Sequence, residues 1–263
     1  MTPRSARVKA ARRLARRHTR TVERAFLAEG PQALREALSV PGCVSEVFAT
    51  YDGTTRHPAI QESALAQEVP WLRVDEPALS SLAQTVSPQG LVARCRFVDQ
   101  PLTAALAGAP SLVVICANVR DPGNAGTVIR CADAAGADAV VLAGESVDPY
   151  NGKAVRASVG SLFHLPTVID VTADETVEAV RGVGCTVLAA DGQGEVSLDG
   201  LMDSGKLSEP SAWLFGNEAW GLSSEVAGRA DHVVRVPIYG RAESLNLAAA
   251  AAVCLYASAR AQR

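Results

Sequence analysis

The chain has 263 residues, enough for two modest domains, and its 48% hydrophobic and 20% charged residues suit a packed globular core. No apolar run reaches the roughly 18 residues of a membrane span, and the Arg-rich start lacks the apolar stretch of a secretory signal, so a cytoplasmic protein is expected. The net charge of −3 hides an asymmetry: residues 1–24 carry nine Lys or Arg against one acid, and the remainder carries 16 basic against 27 acidic residues.

The N-terminal arm, 1–24, repeats Arg13, Arg16, Arg17, Arg20 and Arg24 at spacings of three or four, which would place them on one face of a helix. Such a face suits a polyanion, because phosphate backbones release counterions to it. From 25 to 98, strand-like and helix-like segments alternate: strands at 25–30, 44–50, 71–75 and 91–98, helices at 31–40, 58–68 and 76–85. Pro31 opens the first of these helices. Residues 99–110 read as a linker, with Pro and Gly near its ends.

A second α/β unit runs from 111 to 263. LVVICA at 112–117 is apolar throughout, as a buried parallel strand should be. A helix is predicted at 124–135, a strand at 139–144, and a segment at 151–165 that starts helical and turns irregular. A strand at 167–170 precedes a helix whose Thr172 and Glu175 form a capping box. Strands follow at 185–191, 211–216 and 232–238, and an Ala-rich helix ends the chain at 244–262. The six cysteines show no C-x-x-C spacing and the four histidines are scattered, so neither a disulfide framework nor a metal site is expected.

Three strand ends in this unit run into glycine-rich turns: NVRDPGNAGTVIRCADAAG (118–136), LFGNEAWGLS (214–223) and IYGRAESLNLAAA (238–250). Parallel strands place their carboxyl ends along one edge, where ligands bind, so the three segments can meet in one crevice. Its chemistry is neutral and amide-rich, with Asn118, Asn124, Asn217 and Asn246 each offering donors and an acceptor. Neither G-x-G-x-x-G nor a phosphate-binding loop with Lys is present, which disfavours a dinucleotide oxidoreductase and an NTPase. An adenosine-type ligand remains, with Arg130 available for a phosphate. Taken singly, Asn124, Ser244 and Asn246 also read as helix caps, and Glu218 as a loop ion-pair partner.

In order and spacing these three stretches resemble the motifs of the SpoU (TrmH-like) family of RNA ribose 2′-O-methyltransferases, in the SPOUT superfamily. YNGKAVRASVGSLFHLP (150–166) is similar to the family's segment between the first two motifs, and FLAEGPQALREAL to its accessory domain, which resembles an RNA-binding ribosomal protein. The resemblance implies a trefoil-knotted α/β methyltransferase domain with a parallel sheet at 111–263, and a small α/β RNA-binding domain at 25–98. It implies S-adenosyl-L-methionine as cofactor, a homodimer, no metal, and an RNA substrate. The accessory domain favours 23S ribosomal RNA over tRNA, in a housekeeping or an antibiotic self-resistance role. A non-catalytic RNA-binding or ribosome-assembly relative is the alternative from another class.

Carried over by position, the resemblance assigns catalysis to Arg130, Asn124, Glu218, Ser244 and Asn246. It assigns the cofactor cradle to Leu188, Ala189, Ala190, Asp191 and Gly192, to Leu214, Phe215, Gly216 and Asn217, and to Ile238, Ser244, Leu245, Asn246 and Leu247. Contacts with RNA are expected at Arg13, Arg16, Arg17, Arg20, Asn118, Arg120, Arg156 and Ser158. A ribose hydroxyl is a weak nucleophile, so its proton must be removed or its developing charge stabilised. Either task is expected of Arg130.

Overall fold

Val8, Ala11 and Leu14 recur every third residue among the arginines, and that spacing decides what becomes of the N-terminal segment. In the computed structural model, which describes residues 1–263, all three are buried. In chain order the first elements are α1 (Ala6–Arg13), α2 (Arg17–Glu23), β1 (Ala25–Glu29), α3 (Pro31–Ser39), β2 (Val44–Ala49), α4 (Tyr51–Arg56), α5 (Pro58–Ala66), β3 (Trp71–Arg73), α6 (Glu76–Leu82) and β4 (Leu91–Arg96). There follow α7 (Leu102–Ala105), β5 (Leu112–Ala117), α8 (Pro122–Ala135), β6 (Ala139–Ala143), α9 (Gly152–Ser158), β7 (Thr167–Val168), α10 (Ala173–Gly182) and β8 (Thr186–Ala190). The last are β9 (Val196–Ser197), α11 (Leu198–Asp203), β10 (Ser211–Phe215), α12 (Ser224–Ala227), β11 (His232–Arg235) and α13 (Leu247–Ala261). The elements α4, α7, β9, α11 and α12 are short and lie where the sequence pattern assigned no helix or strand.

The chain forms two units. One comprises Met1–Val98 with Asp148–His164, the other Asp99–Val147 with Leu165–Arg263. In the first, four strands take the order β1-β4-β2-β3, with β4 antiparallel to both neighbours and β2 parallel to β3. Val8 and Ala11 of α1 pack with Phe48, Leu79 and Val92 in one apolar cluster. The arm therefore belongs to the unit's core, in place of the separate segment expected at 1–24. It is also two helices, with a turn after Leu14, so the single arginine face expected from the spacing does not form.

Arg20 is turned inward and is 3% exposed. Its Nε and Nη2 both donate to Asp148 Oδ2 at 2.7 Å, and its Nη1 donates to the carbonyls of Leu14 and Ala15 at 2.9 and 3.0 Å. Those carbonyls end α1 and would otherwise lack partners. Asp148 itself lies in the returning segment, which sequence reasoning placed wholly with the second domain. Aromatic burial holds that segment here: the Tyr150 ring stacks on Phe97 with centroids 3.7 Å apart and lies 4.8 Å from Phe26, and Phe163 stacks on Phe26. The Tyr150 hydroxyl accepts from the Val98 N–H at 2.9 Å.

In the second unit seven strands, all pairs parallel, take the order β7-β6-β5-β10-β8-β11-β9. Buried Val113, Ile115, Val141, Val187 and Leu214 form its core. The Thr172–Glu175 capping box starts α10 as the sequence indicated. The last helix packs along α8, and the Trp213 Nε1 of β10 donates to Ser258 Oγ of α13 at 2.8 Å. From β5 the chain proceeds to β6 and β7 on one side, while β10 separates it from β8 and β11 on the other. That reversal opens a crevice at the carboxyl ends of β5 and β10. No helix is long and apolar enough to cross a membrane.

Candidate functional site

The three glycine-rich turns meet at that crevice. The first begins at Asn118, whose φ of +58° turns the chain sharply at the end of β5. Its carbonyl accepts from Asn217 Nδ2 at 2.8 Å, which joins the ends of the adjacent strands β5 and β10. Its side-chain Oδ1 accepts from the Glu145 N–H at 2.9 Å. The helix that follows is capped by Asp121, which accepts from the Asn124 N–H at 2.9 Å. Capping by Asp121 leaves the Asn124 side chain free to reach across the crevice.

Glu218 is the hub of the second turn. Its Oε2 accepts from the Arg120 N–H at 3.0 Å, and its Oε1 accepts from the Asp121 N–H at 3.0 Å and from Asn124 Nδ2 at 3.1 Å. A carboxylate at the start of α8 also meets the positive end of the helix dipole. Partial burial works to raise the Glu218 pKa, but the hydrogen bonds from Arg120, Asn124 and Asp121 outweigh it and hold the carboxyl below its usual range. The third turn supplies Asn246, which caps α13 by accepting from the Ala248 N–H at 2.9 Å and donates from Nδ2 to Asn124 Oδ1 at 3.1 Å. Asn246 therefore caps its own helix and reaches Asn124 at the same time. A continuous chain, Asn246 to Asn124 to Glu218 to the backbone of 120–121, ties the three motifs.

Beside this network lies a cleft of about 460 Å³ at the carboxyl ends of β8, β10 and β11. Apolar Phe215, Ile238, Leu245 and Leu247 share its walls with polar Asp191, Asn217 and Ser244. Gly216 shows why the turn is glycine-rich: the loop folds back through paired hydrogen bonds between Asn217 and Gly221, and a Cβ on Gly216 would come within 2.4 Å of the Gly221 backbone. Of the expected cradle, Ala190, Asp191, Gly192, Phe215, Gly216, Asn217, Ile238, Ser244, Leu245 and Leu247 line the cleft. Leu188, Ala189 and Leu214 sit one layer deeper, as buried strand residues.

Sequence reading missed Val236, Pro237, Tyr239 and Glu243, which also line the cleft. Their signal was Pro237, which lacks an N–H and so marks where β11 stops pairing and a wall can begin. It missed Arg235 too. That side chain donates from Nη1 to the carbonyls of Gly194 and Glu195, both at 2.8 Å, and pins the loop after β8 beside the cleft. The volume, the apolar walls and the uncharged amide groups fit an adenosyl ligand.

Arg130 lies on α8, exposed, and no ion pair within the chain engages it. The RNA contacts expected from sequence divide. Arg13, Arg16 and Arg17 face solvent. Arg20 does not, for its guanidinium is buried on Asp148. Ser158 is also buried, and its hydroxyl donates to the Val155 carbonyl at 2.9 Å within α9. Both corrections have one cause: burial commits the polar group to an internal partner. Arg156 lies 3.5 Å from Glu29 in the first unit, and Arg120 pairs with Glu145 in the second.

Residues 111–256 match the SpoU rRNA Methylase family, and residues 5–93 match the MRM3-like substrate binding domain. The chain is 35% identical over 249 residues to the 23S rRNA (guanosine(2553)-2′-O)-methyltransferase RlmP of Bacillus subtilis, covering 95% of this chain and 94% of that one. Among solved structures, an AdoMet-bound rRNA methyltransferase from Sinorhizobium meliloti superposes with a TM-score of 0.86 at 32% identity, over 97% of this chain and 95% of that one. The SpoU methyltransferase AviRb from Streptomyces viridochromogenes, in complex with AdoMet, gives 0.85 at 29% identity, over 97% and 98%.

Proposed function

The chain belongs to the SpoU rRNA methylase family, and on that premise we propose that it moves a methyl group from S-adenosyl-L-methionine to a ribose 2′-hydroxyl of 23S ribosomal RNA. The observation that carries this reading is the joining of three motifs through Glu218, Asn124 and Asn246 beside a cleft suited to an adenosyl group. When bound, the cofactor supplies an electrophilic methyl on a sulfonium centre. The residues of the chain do the rest. Apolar walls from Phe215, Ile238 and Leu247 exclude water from the cleft. Glu218 and Asn246 fix the start of α8 and so set the direction from which Arg130 reaches the RNA.

The role that suits Arg130 is to hold a substrate phosphate and stabilise the alkoxide that develops on the 2′-oxygen. A guanidinium keeps its protons and donates in a fixed fork. Ser244, exposed on the cleft wall, is placed to orient a ribose hydroxyl. The reading includes a homodimer, supported by the exposed Val253 and Tyr256 on α13 and Trp220 on the second turn. It also includes the family's trefoil knot and a cytoplasmic site of action, where ribosomal RNA is made and assembled.

Calorimetric titration with S-adenosylmethionine, S-adenosylhomocysteine and NAD tests the cofactor: binding of both adenosyl ligands and none of NAD is expected. Arg130→Ala is expected to keep that binding and lose about 10²–10³-fold in transfer to a 23S rRNA transcript. Turnover like that of the unsubstituted protein in Arg130→Ala would sink the assignment, and primer extension on the product locates the methylated nucleotide.

A further inference from the structure

Three carboxylates line the cleft of the second unit, and two of them are engaged by the chain itself. Glu218 is held by the backbone at 120–121 and by Asn124, and Asp191 accepts from the Gln193 N–H at 2.8 Å. The third, Glu243, is exposed and has neither a hydrogen bond nor an ion pair. Arg235 is the one cation in the wall, and its Nη1 already donates to the carbonyls of Gly194 and Glu195. Arg241, two residues before Glu243, is not part of the wall.

The stretch that carries Glu243 is tied at both ends. From Pro237 to Leu245 the chain makes a single hydrogen bond, in which the Tyr239 hydroxyl donates to Asp199 Oδ2 at 2.6 Å. Asn246 then caps α13 and reaches Asn124. The Glu243 charge is thereby kept at the cleft without being neutralised there. Three carboxylates against one guanidinium leave the cleft at a net −2. Beside apolar Phe215, Ile238 and Leu247 the field of such a charge reaches further than it would in open water.

A negative cleft separates ligands of equal shape by their charge. S-adenosylmethionine and S-adenosylhomocysteine share the adenosine and the amino-acid end, and differ at sulfur: a sulfonium cation in the first, a neutral thioether in the second. Methyl transfer cancels that charge, because the bonding pair of the broken C–S bond stays on sulfur. We propose that Glu243 is a charge-selecting residue, which strengthens the hold on the sulfonium ligand over the neutral thioether and so favours release of the product once the methyl has moved. This rests on the methyl-transfer reading above. The cradle makes the contacts that both ligands share, and Glu243 acts on the difference between them.

The test is calorimetric titration of the full-length protein with S-adenosylmethionine, S-adenosylhomocysteine and sinefungin, which carries a protonated amine near the sulfonium position and no methyl to transfer. Glu243→Gln is expected to weaken the two cationic ligands about three- to tenfold and to leave S-adenosylhomocysteine within about twofold. Glu243→Lys should roughly double that change in log affinity, while Glu243→Asp, which keeps the charge, should stay within about twofold of the unsubstituted protein. The differences should shrink between about 50 and 500 mM salt. In transfer assays Glu243→Gln should be inhibited by S-adenosylhomocysteine more strongly, relative to its KM for S-adenosylmethionine. Asp203→Asn, an exposed carboxylate of α11 outside the cleft, is the control and should change nothing. Equal weakening of all three ligands by Glu243→Gln would make Glu243 a contact rather than a selector and overturns the proposal. An unmoved ratio, or an equal shift in Asp203→Asn, overturns it too. Failure of the unsubstituted protein to bind any of the three ligands defeats the methyl-transfer reading and this inference with it, whereas binding with an unmoved ratio defeats this inference alone.

Discussion

Each unit ties distant segments together through one charged side chain, and the two do so in opposite ways. In the first, Arg20 is withdrawn from water and locked to a buried carboxylate at 2.7 Å. In the second, Glu218 stays exposed and gathers three neutral donors, two of them backbone N–H groups at the start of α8. The buried pair has given up its hydration, so removing one partner strands the other. The exposed carboxylate keeps water as a substitute partner, so its loss shifts a loop without leaving an orphan. The first arrangement suits a rigid platform, the second a site that must adjust to a ligand.

The largest expected effect tests the locked side. Arg20→Ala should cost about 3–5 kcal/mol of stability in chemical denaturation, because the Asp148 carboxylate is left buried beside carbonyls that have lost their donor. A loss under about 1 kcal/mol would mean water replaces Arg20 easily, and the contrast between the units would collapse. Gly216→Ala is next. Its Cβ meets backbone and not a movable side chain, so about 1–3 kcal/mol and weaker cofactor binding are expected, read from the unfolding midpoint and from calorimetry. A neutral result would show that the loop from Asn217 to Gly221 can open without harm.

The smallest effect belongs to Glu218. Glu218→Gln keeps the shape and loses the charge at the helix start, worth about 0.3–1 kcal/mol, or at most about fivefold in rate. The unsubstituted carboxyl is held below its ordinary pKa. Its contribution is therefore fully present above the usual carboxylate range and is lost as pH falls through its lowered value. Melting curves taken from neutral to acid pH should show that loss, and Glu218→Gln should flatten it. An equal acid sensitivity in both proteins would assign the effect to other carboxylates.

Much of this was legible in the sequence, for local reasons. The apolar run at 112–117 could only be a buried strand, and the three asparagine-bearing turns could only lie at strand ends. Asn124 also read as a helix cap, and the local signal against it was Pro122, which at the first helical position makes Asp121 the cap and places Asn124 one turn in. What stayed hidden depended on partners distant in sequence. The order of strands that puts β10 beside β5 is a tertiary fact. The arginine spacing at 13, 16, 17, 20 and 24 suggested one cationic face, and only the turn after Leu14 shows that Arg20 points inward. Arg235 carried no motif, and its hold on the carbonyls of Gly194 and Glu195 appears only once β11 lies beside β8 and β9.

The return of residues 148–164 to the first unit bears on how the chain is made. A ribosome delivers Met1–Val98 well before Asp148, Tyr150 and Phe163 emerge, so during synthesis Arg20 waits without its carboxylate and Phe26 without two of its ring neighbours. The first unit therefore cannot complete its core until β5, α8 and β6 of the second have already left the exit tunnel. A fragment cut at the linker after Val98 would keep every strand of the first sheet and still lack the piece that closes it, whereas one that appends 148–164 would restore the missing partners.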